Sequence, residues 1–398
     1  MKNGWKTEPL GELCEFQRGL TYAKSDEVEV SENVVLRATN IDLATNLLDF
    51  TELKYINDKV VVPDSKKVKK GSLMICTASG SKSHLGKVAY IDDDYDYAFG
   101  GFMGMVTPKN GLVPKYLFHL MTSDAYKDFI GELSDGANIN NLKFDDLKKF
   151  SVPHPDCPEQ KRIVSILDEV FEGIATAKSN AEKNLQNTRD LFESHLQSVF
   201  TQRGKGWTEQ TLGDVCTFIG GSQPPKSVFS KSQTADNIRL IQIRDYKSDK
   251  HLVFIPYSQA RRFCKVDDIM IGRYGPPIFQ ILRGLEGAYN VALMKAVPDE
   301  AKLSRDFLFY FLKHSAIKQY VIYHSDRAAG QSGLNKDTLE PYPIAYPSLK
   351  EQAKVIRVIS ELESAVARLE SIYQQKLAAL EALKKSLLHQ AFSGRLLK

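Results

Sequence analysis

The sequence predicts a mixed α/β protein of the α+β kind, in which two similar globular domains are separated by a long antiparallel two-helix coiled coil. Three observations support this prediction. The chain has 398 residues, which is long for one core and favours two domains. Several segments occur twice in the same order, as expected of an internal repeat. Two long stretches carry apolar residues at heptad spacing, which is typical of a coiled coil.

The repeat indicates a tandem duplication with an approximate internal two-fold axis. "GWKTEPLGELCEF" is matched by "GWTEQTLGDVCTF", and "KYLFHLMTSDAYK" is matched by "DFLFYFLKHSAIK". A stretch headed by Glu-Gln follows each copy. The paired segments start at Gly4 and Gly206, at Lys115 and Asp306, and at Glu159 and Glu351. The two globular domains, named head 1 and head 2, should therefore share one fold.

Each head reads as mixed α/β. Short β-rich runs such as "VVLRATNI" and "SLMICTAS" in head 1, or "IRLIQIRDY" in head 2, are separated by Gly, Asn and Asp, which is typical of strands joined by turns. A short helix is expected near residues 115–130 and again near 305–323. The predicted division of the chain is head 1 at 1–155, a central spacer helix at 156–203, head 2 at 204–347 and a C-terminal spacer helix at 348–398.

The two spacer helices have clear start signals. Asp156 with Glu159, and Ser348 with Glu351, fit the capping box, in which an N-cap acceptor and a Glu three residues later bond to free backbone N–H groups. We interpret both Glu residues as helix-start devices rather than as a catalytic carboxylate pair. Each helix runs for about 40 residues, which corresponds to roughly 60 Å.

Heptad periodicity predicts the seam along which these helices pack. The seam residues in the C-terminal helix are Val355, Leu362, Leu369 and Leu383 at one position, with Ile359, Val366, Tyr373, Leu380 and Leu387 at the other. In the central helix they are Ile163, Val170, Ala177 and Leu191, with Ile166, Ile174, Ala181 and Thr188. Antiparallel packing would hold the heads at opposite ends. Duplex DNA presents the same major-groove face about every 34 Å, once per turn, and therefore suits two such heads.

Composition and charge exclude several classes of protein. Hydrophobic residues make up 42% and charged residues 26% of the chain, which excludes extensive disorder. The net charge of +4 is compatible with basic patches but does not demand a polyanionic partner. The N-terminus has no signal-peptide core and no stretch reaches the roughly 18 apolar residues of a membrane span. We therefore expect a cytoplasmic protein.

Motifs that would indicate an enzyme are incomplete. The stretch from Gly80 to Lys87 resembles a phosphate-binding loop, but five residues separate its glycines and Val88 replaces the required Ser or Thr. Five cysteines without Cys-x-x-Cys spacing are interpreted as buried thiols. No metal ligand spacing is found among His84, His119, His195 and His251. No catalytic or metal-binding residue is predicted.

The repeated segments resemble those of the specificity (S) subunits of type I restriction-modification enzymes. In that family, two variable target-recognition domains each begin with a Gly-Trp and Leu-Gly stretch and each precede a Pro-rich helix headed by Glu-Gln. Here the corresponding segments are "GWKTEPLGEL" and "GWTEQTLGDV", then "VPHPDCPEQKRIVSILD" and "YPIAYPSLKEQAKVIRVI". The C-terminal "FSGRLLK" is similar to the ending of the family, and the resemblance covers essentially the whole chain.

The resemblance implies a non-catalytic DNA reader. Each head would read one half of a bipartite DNA site, the helices would set the spacer, and two copies of a methyltransferase (M) subunit would dock on them. Helicase-nuclease (R) subunits are further candidate partners. No cofactor is expected in this chain, because S-adenosylmethionine, ATP and Mg would belong to partner subunits. The alternative interpretation is a coiled-coil interaction scaffold without sequence-specific DNA binding.

Candidate DNA contacts follow from residue type and position. Polar side chains on rigid loops read base edges, whereas Lys and Arg contact phosphates. The run "DSKKVKK", loops after β-rich runs, and Gly-rich loops that recur in both heads are the expected contact regions. The candidates in head 1 are Arg37, Asn40, Lys66, Lys67, Lys69, Lys70, Thr77, Ser79, Ser81, Lys82, Ser83, His84, Asn138 and Asn140. Those in head 2 are Gln242, Arg244, Arg273, Tyr274, Gln280, Gln331 and Asn335. The DNA sequence that either head reads does not follow from the resemblance, because "MICTASGSKSHLGK" and "MIGRYGPPIFQI" depart from the turn usual in the family.

Overall fold

A computed structural model of the chain divides into two compact units. Unit 1 comprises residues 1–181 and 375–398, and unit 2 comprises residues 182–374. The structure describes residues 4–80, 84–135, 141–202, 204, 206–275, 277–326 and 333–396. Each unit therefore contains one head together with parts of both long helices.

Head 1 and the central helix contain ten described strands and five α-helices. The strands are β1 (Lys6–Pro9), β2 (Cys14–Arg18), β3 (Glu27–Val28), β4 (Asn33–Leu36), β5 (Lys54–Ile56), β6 (Leu73–Cys76), β7 (Val88–Tyr90), β8 (Tyr97–Phe99), β9 (Met103–Pro108) and β10 (Ser151–His154). The helices are α1 (Leu10–Leu13), α2 (Pro114–Leu120), α3 (Asp124–Asp135), α4 (Phe144–Leu147) and the long α5 (Cys157–Thr201).

Head 2 and the C-terminal helix repeat this series. The described strands are β11 (Thr208–Thr211), β12 (Cys216–Gly220), β13 (Asn237–Ile241), β14 (Phe254–Pro256), β15 (Phe263–Cys264), β16 (Ile269–Gly272), β17 (Gln280–Leu282), β18 (Gly287–Tyr289), β19 (Leu293–Pro298) and β20 (Pro343–Tyr346). The helices are α6 (Leu212–Val215), α7 (Arg305–Lys313), α8 (Ser315–Asp326), α9 (Lys336–Leu339) and the long α10 (Leu349–Phe392).

The two heads have matching sheet topology. One four-stranded sheet has the order β2-β9-β6-β7 in head 1 and β12-β19-β16-β17 in head 2. A second sheet contains β5-β4-β8 in head 1 and β14-β13-β18 in head 2. In this sheet β4 runs parallel to β8, and β13 runs parallel to β18. Head 1 adds β3 beside β5, whereas head 2 adds β15 beside β18. The predicted mixed α/β fold and its internal repeat are confirmed.

The single short helix expected in each head is instead a pair of helices. Residues 115–130 contain α2 and most of α3, and residues 305–323 contain α7 and most of α8. In head 1, the Ser123 hydroxyl donates to the Leu120 carbonyl over 2.6 Å. A side chain that bonds to the backbone in this way competes with helical hydrogen bonding. In head 2, the break falls at the buried His314.

The first and last strands of each head pair with one another. β1 is antiparallel to β10, and β11 is antiparallel to β20. Beyond β1, the backbone N–H of Leu10 donates to the Phe150 carbonyl over 2.8 Å, and beyond β11 that of Leu212 donates to Tyr342 over 2.9 Å. Each Gly-Trp and Leu-Gly segment therefore lies against the segment that leads into a long helix, which explains why these distant segments recur together.

A buried glutamine fastens the start of α5 to head 1. Gln160 is fully buried. Its side-chain oxygen accepts the Val113 N–H over 2.7 Å, and its amide nitrogen donates to the carbonyls of Gly111 and Pro155, both over 2.9 Å. Every polar atom of this amide is thus bonded, as a buried amide requires.

Gln352 repeats the same arrangement at the start of α10. Its side-chain oxygen accepts the Ser304 N–H over 2.8 Å. Its amide nitrogen donates to the carbonyls of Lys302 (2.8 Å) and Pro347 (2.9 Å). We name this pair of side chains the glutamine clasps. They explain the Gln of each Glu-Gln segment, which sequence reasoning did not interpret.

The neighbouring glutamates pair within their own helices. Glu159 accepts from Arg162 over 2.6 and 2.7 Å, and Glu351 accepts from Lys354 over 2.6 Å. At α5, the predicted N-cap is present, since the Asp156 carboxylate accepts the Glu159 N–H over 3.1 Å. At α10, the Glu351 N–H instead donates to the backbone carbonyl of Ser348 over 2.9 Å.

Each head also includes parts of both long helices in its hydrophobic core. In unit 1, Leu167 of α5 and Leu388 of α10 belong to the same buried cluster as the head residues. In unit 2, Phe200 of α5 and Ile359 of α10 do the same. The helices run antiparallel in unit 1, because contacts further along α5 are made with residues of lower number in α10. The ring of Phe171 lies under Lys384, whereas Lys178 pairs with Glu381.

Only part of the predicted seam is buried. Ile174 and Ala181 in unit 1, and Thr188, Ile359 and Val366 in unit 2, are buried. The predicted seam residues Leu191, Leu369 and Leu383 are exposed instead, with Leu191 61% exposed. A helix with one partner helix covers a single narrow stripe, so apolar residues beside that stripe stay in contact with solvent.

The cysteines are free. Cys14, Cys76, Cys216 and Cys264 are buried, as predicted, whereas Cys157 is half-buried, with its Sγ 3.4 Å from the Gly111 carbonyl oxygen. Burial raises the pKa of the Cys14 and Cys216 thiols to about 12, so these side chains stay protonated and unreactive at neutral pH.

Replacing Gln352 with Leu should destabilise unit 2 by about 3 kcal/mol, because three backbone groups lose the partner that a fully buried amide gives them. Urea unfolding of the purified chain measures this change. Glu351→Leu, at the adjacent exposed position, is the matched control and should cost less than about 0.5 kcal/mol. Equal effects of the two substitutions would contradict a structural role for the clasp.

Candidate nucleic-acid interface

Each head has an open cavity where the ends of equivalent strands meet. In head 1, the cavity is about 630 Å³ and is lined by residues 20–22 after β2, 37–39 after β4 and 100–102 after β8. In head 2, it is about 520 Å³ and is lined by residues 223–226 after β12, Gln242 after β13 and Asn290 after β18. Loops on a rigid sheet that converge on a concave surface are the usual arrangement of a binding site.

A glycine in each head permits this convergence. Gly19 donates its N–H to the Met103 carbonyl over 3.0 Å, and Gly221 donates to Leu293 over 3.0 Å. A Cβ atom at Gly19 would lie 1.9 Å from the carbonyl oxygen of Gly100. At Gly221 it would lie 1.9 Å from that of Asn290. Only glycine lets the two chain segments approach this closely.

Arg37 and Lys24 are the cationic side chains that line the head 1 cavity. Arg37 is half-buried. Within the described part of the chain, its Nε is buried and has no hydrogen-bond partner. Glu27 also lines the cavity, but it pairs with Lys54 over 2.6 Å. The hydrogen bond from Lys54 is the main reason that the pKa of Glu27 lies below its ordinary value. Because this Nε is buried, the contribution of the half-buried Arg37 to the cavity is the positive charge of its guanidinium.

Asn40 has a structural role, contrary to its selection as a base contact. It is fully buried. Its side-chain oxygen accepts the Arg37 N–H over 2.8 Å, and its amide donates to the carbonyls of Asp49 and Glu52, both over 2.9 Å. Asp245 occupies the equivalent place in head 2, where its carboxylate accepts the Gln242 N–H over 3.1 Å. A short polar residue at this position closes a turn. From the sequence, the same segment was predicted to be a loop that contacts bases.

Thr77 and Arg273 occupy equivalent places at the ends of β6 and β16. Thr77 is buried, and its hydroxyl donates to the Phe102 carbonyl over 2.9 Å; it, too, is a structural residue. Arg273 donates from its guanidinium to the carbonyls of Leu334 (2.8 Å) and Val291 (3.2 Å) and to the Asn335 side chain (3.0 Å). Arg273 and Asn335 therefore hold a loop of head 2 in place, and a DNA contact by either residue stays a prediction.

Three other candidates of head 2 have exposed or half-buried side chains. Arg244 is exposed, and its guanidinium donates to the His251 carbonyl over 3.4 Å. Tyr274 is exposed beside Arg273, whose guanidinium carbon lies 5.4 Å from the centre of its ring. Gln280 donates to the Pro277 carbonyl over 3.0 Å. These side chains stay predicted contacts.

Two of the four lysines in the head 1 run are paired with aspartates, and a third donates to a backbone carbonyl. Lys67 pairs with Asp96, whose hydrogen bond is the main reason that the pKa of Lys67 lies above its ordinary value. Lys70 lies 3.6 Å from Asp93, and Lys66 donates to the Arg18 carbonyl over 2.8 Å. Lys69 is exposed and makes none of these contacts among the described residues. The run "DDDYD" at residues 92–96 was the signal for this compensation, which weakens the case for strong phosphate binding here.

The other candidates have mixed outcomes. Ser79 lines the head 1 cavity, and His84 is half-buried. Ser81, Lys82, Ser83, Asn138, Asn140 and Gln331 lie outside the described residues. Sequence reasoning missed Phe102 and Asn290, which line the two cavities. The Gly100–Gly101 pair beside Phe102 was the available signal in the sequence.

Other kinds of site are not seen in the described ranges. They contain no group of three or more His, Cys, Asp or Glu side chains arranged to hold a metal ion. They also contain no helix that is long and apolar enough to cross a membrane.

Comparison with known proteins identifies the family. A family model described as the type I restriction modification DNA specificity domain matches residues 2–186 and again residues 204–381. The chain belongs to this family. The family predicted from the repeated segments is thereby confirmed, and each of the two matches contains one head.

Two curated relatives span almost the same length. The chain is 25% identical to the type I restriction enzyme StySPI specificity subunit of Salmonella potsdam over 427 residues, with 100% of this chain and 90% of that protein covered. It is 23% identical to the EcoKI specificity subunit of Escherichia coli (strain K12) over 436 residues, with the same coverage.

Two solved structures share the fold. A chain from a study of complex assembly and conformational transition of the type I R-M system matches with a TM-score of 0.81 at 20% identity, covering 100% of this chain and 99% of that chain. The HsdS subunit from Thermoanaerobacter tengcongensis matches with a TM-score of 0.59 at 21% identity, covering 100% and 98%. Both structures therefore share the fold of this chain over nearly its whole length.

Replacing Arg273 with Ala should lower the free energy of unfolding of unit 2 by about 2–3 kcal/mol, because three hydrogen bonds from a charged group are lost. Arg244→Ala removes an exposed guanidinium and should change it by less than about 0.5 kcal/mol. Urea unfolding of both purified variants tests the contrast. If Arg273→Ala left the free energy of unfolding unchanged, the loop at residues 334–335 would not depend on this side chain.

Proposed function

We propose that this chain is the DNA sequence-specificity subunit of a type I restriction-modification complex, in which each head reads one half of a bipartite site. The observation that supports this most directly is the pair of cavities, built from equivalent strand ends in two heads of matching topology. Their lining differs between the heads, with Arg37 in one and Gln242 in the other. Arg and Gln prefer different base edges, so the two halves should differ in sequence.

The long helices are proposed to set the spacer between the half-sites. α5 has 45 residues and α10 has 44, which is about 65–70 Å at 1.5 Å per residue. Each glutamine clasp bonds the start of one helix to a head. In this proposal the chain works as four parts, namely residues 1–155, 156–203, 204–347 and 348–398, of which the two helical segments act as a ruler.

The helices also offer surfaces for protein partners. Leu369, Ile372 and Leu383 of α10 are exposed apolar residues, and such residues are common in binding interfaces. We propose that two copies of the methyltransferase (M) subunit dock on the helices, with helicase-nuclease (R) subunits in a complex that cleaves DNA. The chain itself would be non-catalytic and without cofactor, and S-adenosylmethionine, ATP and Mg would act in the partners. The complex would work in the cytoplasm.

Duplex binding by the complex of this chain with its methyltransferase partner tests the proposal. Methylation mapping of the host DNA first defines the site. Binding to that site should be tighter than binding to a scrambled duplex and should weaken steeply as salt rises, because phosphate contacts release counterions. Equal binding to both duplexes would favour the interaction scaffold instead.

Inserting one heptad into α5 near Asn184 should lengthen the spacer. The insertion keeps the helix seam in register and adds about 10 Å, close to three base pairs. Mapping of methylated sites should show unchanged half-sites and a longer spacer. The insertion also turns the second half-site by roughly a quarter turn of the duplex, so weaker binding is expected.

A four-residue insertion at the same place is the matched control. It breaks the heptad register, so it should impair folding or partner assembly more than the heptad does. A heptad variant that recognises the original spacer with undiminished preference would show that the helices are not the ruler.

A further inference from the structure

We propose that the exposed ring of Phe102 recognises the methyl group of a thymine, close to a guanine bound by Arg37. Phe102 would thus be a specificity-determining residue of head 1. The inference rests on the proposed DNA-reading function and adds the chemical feature that one head recognises.

The backbone of Phe102 is held firmly while its ring is free. Its carbonyl accepts the N–H groups of Thr77 (2.9 Å) and Ala78 (3.1 Å) and the Thr77 hydroxyl (2.9 Å). The residue is nevertheless 75% exposed. Single exposed apolar side chains are common, but this one is fixed at the wall of a cavity. A ring placed in this way can contact an apolar group without the entropic cost of ordering a loop.

The cavity combines an apolar side chain with a cationic one. Phe102 and Arg37 line the same space of about 630 Å³, so they would meet neighbouring bases. In the major groove, guanine offers two acceptors to Arg, and thymine is distinguished by its C5-methyl group, which Phe can contact. Together, these side chains suit a half-site with a guanine and a thymine close together.

Head 2 lacks the ring at the equivalent place. The carbonyl of Ala292 accepts the Arg273 N–H over 2.9 Å, as that of Phe102 accepts the Thr77 N–H. Because an Ala is accommodated at this position of the shared fold, Phe102→Ala should fold normally. Dependence on a thymine methyl group through this residue should therefore appear in one half-site only.

Deoxyuridine substitution tests the proposal, because it removes the methyl group and leaves the hydrogen-bonding edge of the base unchanged. The complex with the methyltransferase partner is titrated with duplexes in which each thymine of the mapped site, on either strand, is replaced in turn. One position in one half-site should lose about fourfold in affinity, the value expected for one buried methyl group. The other positions should change less.

Variants connect the effect to the ring. Phe102→Ala should bind the unmodified site about fourfold more weakly and should no longer distinguish thymine from uracil at that position. Phe102→Leu should keep the discrimination, because Leu restores an apolar contact. Val61→Ala is the control: Val61 is 82% exposed in head 1 and does not line the cavity, and its loss should leave the discrimination unchanged.

The outcomes separate this inference from the proposed function. Binding that is sequence-selective but insensitive to uracil in both half-sites would overturn the role of Phe102 and leave the DNA-reading function standing. If the Phe102→Ala variant still distinguished thymine from uracil, the role of Phe102 would likewise be overturned and the DNA-reading function would stand. Binding of the wild-type complex without sequence preference would instead overturn the proposed function, and this inference with it.

Discussion

The attachment of each head to its long helix depends on a buried glutamine. Gln160 and Gln352 each bridge three backbone groups of a turn and a strand end to the first turn of a helix. In an interior of low polarity, such bonds are strong and an unpaired partner is costly. The helix direction is therefore fixed where the head ends. The apolar contacts that follow along α5 and α10 complete each head's core around that direction.

The two cavities show how one scaffold presents different side chains in its two copies. The turns that follow Arg37 and Gln242 are closed by the same hydrogen bond. The side-chain oxygen of Asn40 accepts the Arg37 N–H in head 1, and that of Asp245 accepts the Gln242 N–H in head 2. The side chains that face the cavities differ. Structural constraint thus falls on the turn-closing residues and on the glycines that permit close approach. The lining residues differ between the heads, and under the proposed function this difference gives each head its own specificity.

Sequence reasoning found the duplication, the mixed α/β heads and both long helices, because repeats and heptads are properties of the sequence itself. It was less successful with residues whose role depends on tertiary contacts. Asn40 suited a reading loop by type but is buried, and the apolar Leu191 is exposed. Lys67 and Lys70 pair with aspartates that lie more than 20 positions further along the chain, at Asp96 and Asp93. Phe102 was passed over because an apolar residue carries no polar signal, and its exposure follows only from the fold.

The central claim is that the two equivalent cavities are the places where DNA is read. A structure of this chain bound to its methyltransferase partner and to a duplex carrying the mapped site tests it most directly. The account predicts that both cavities face the major groove, with Arg37 at the base edges of one half-site and Gln242 at those of the other. A structure in which both cavities face away from the duplex, while other surfaces of the heads contact the bases, would contradict it.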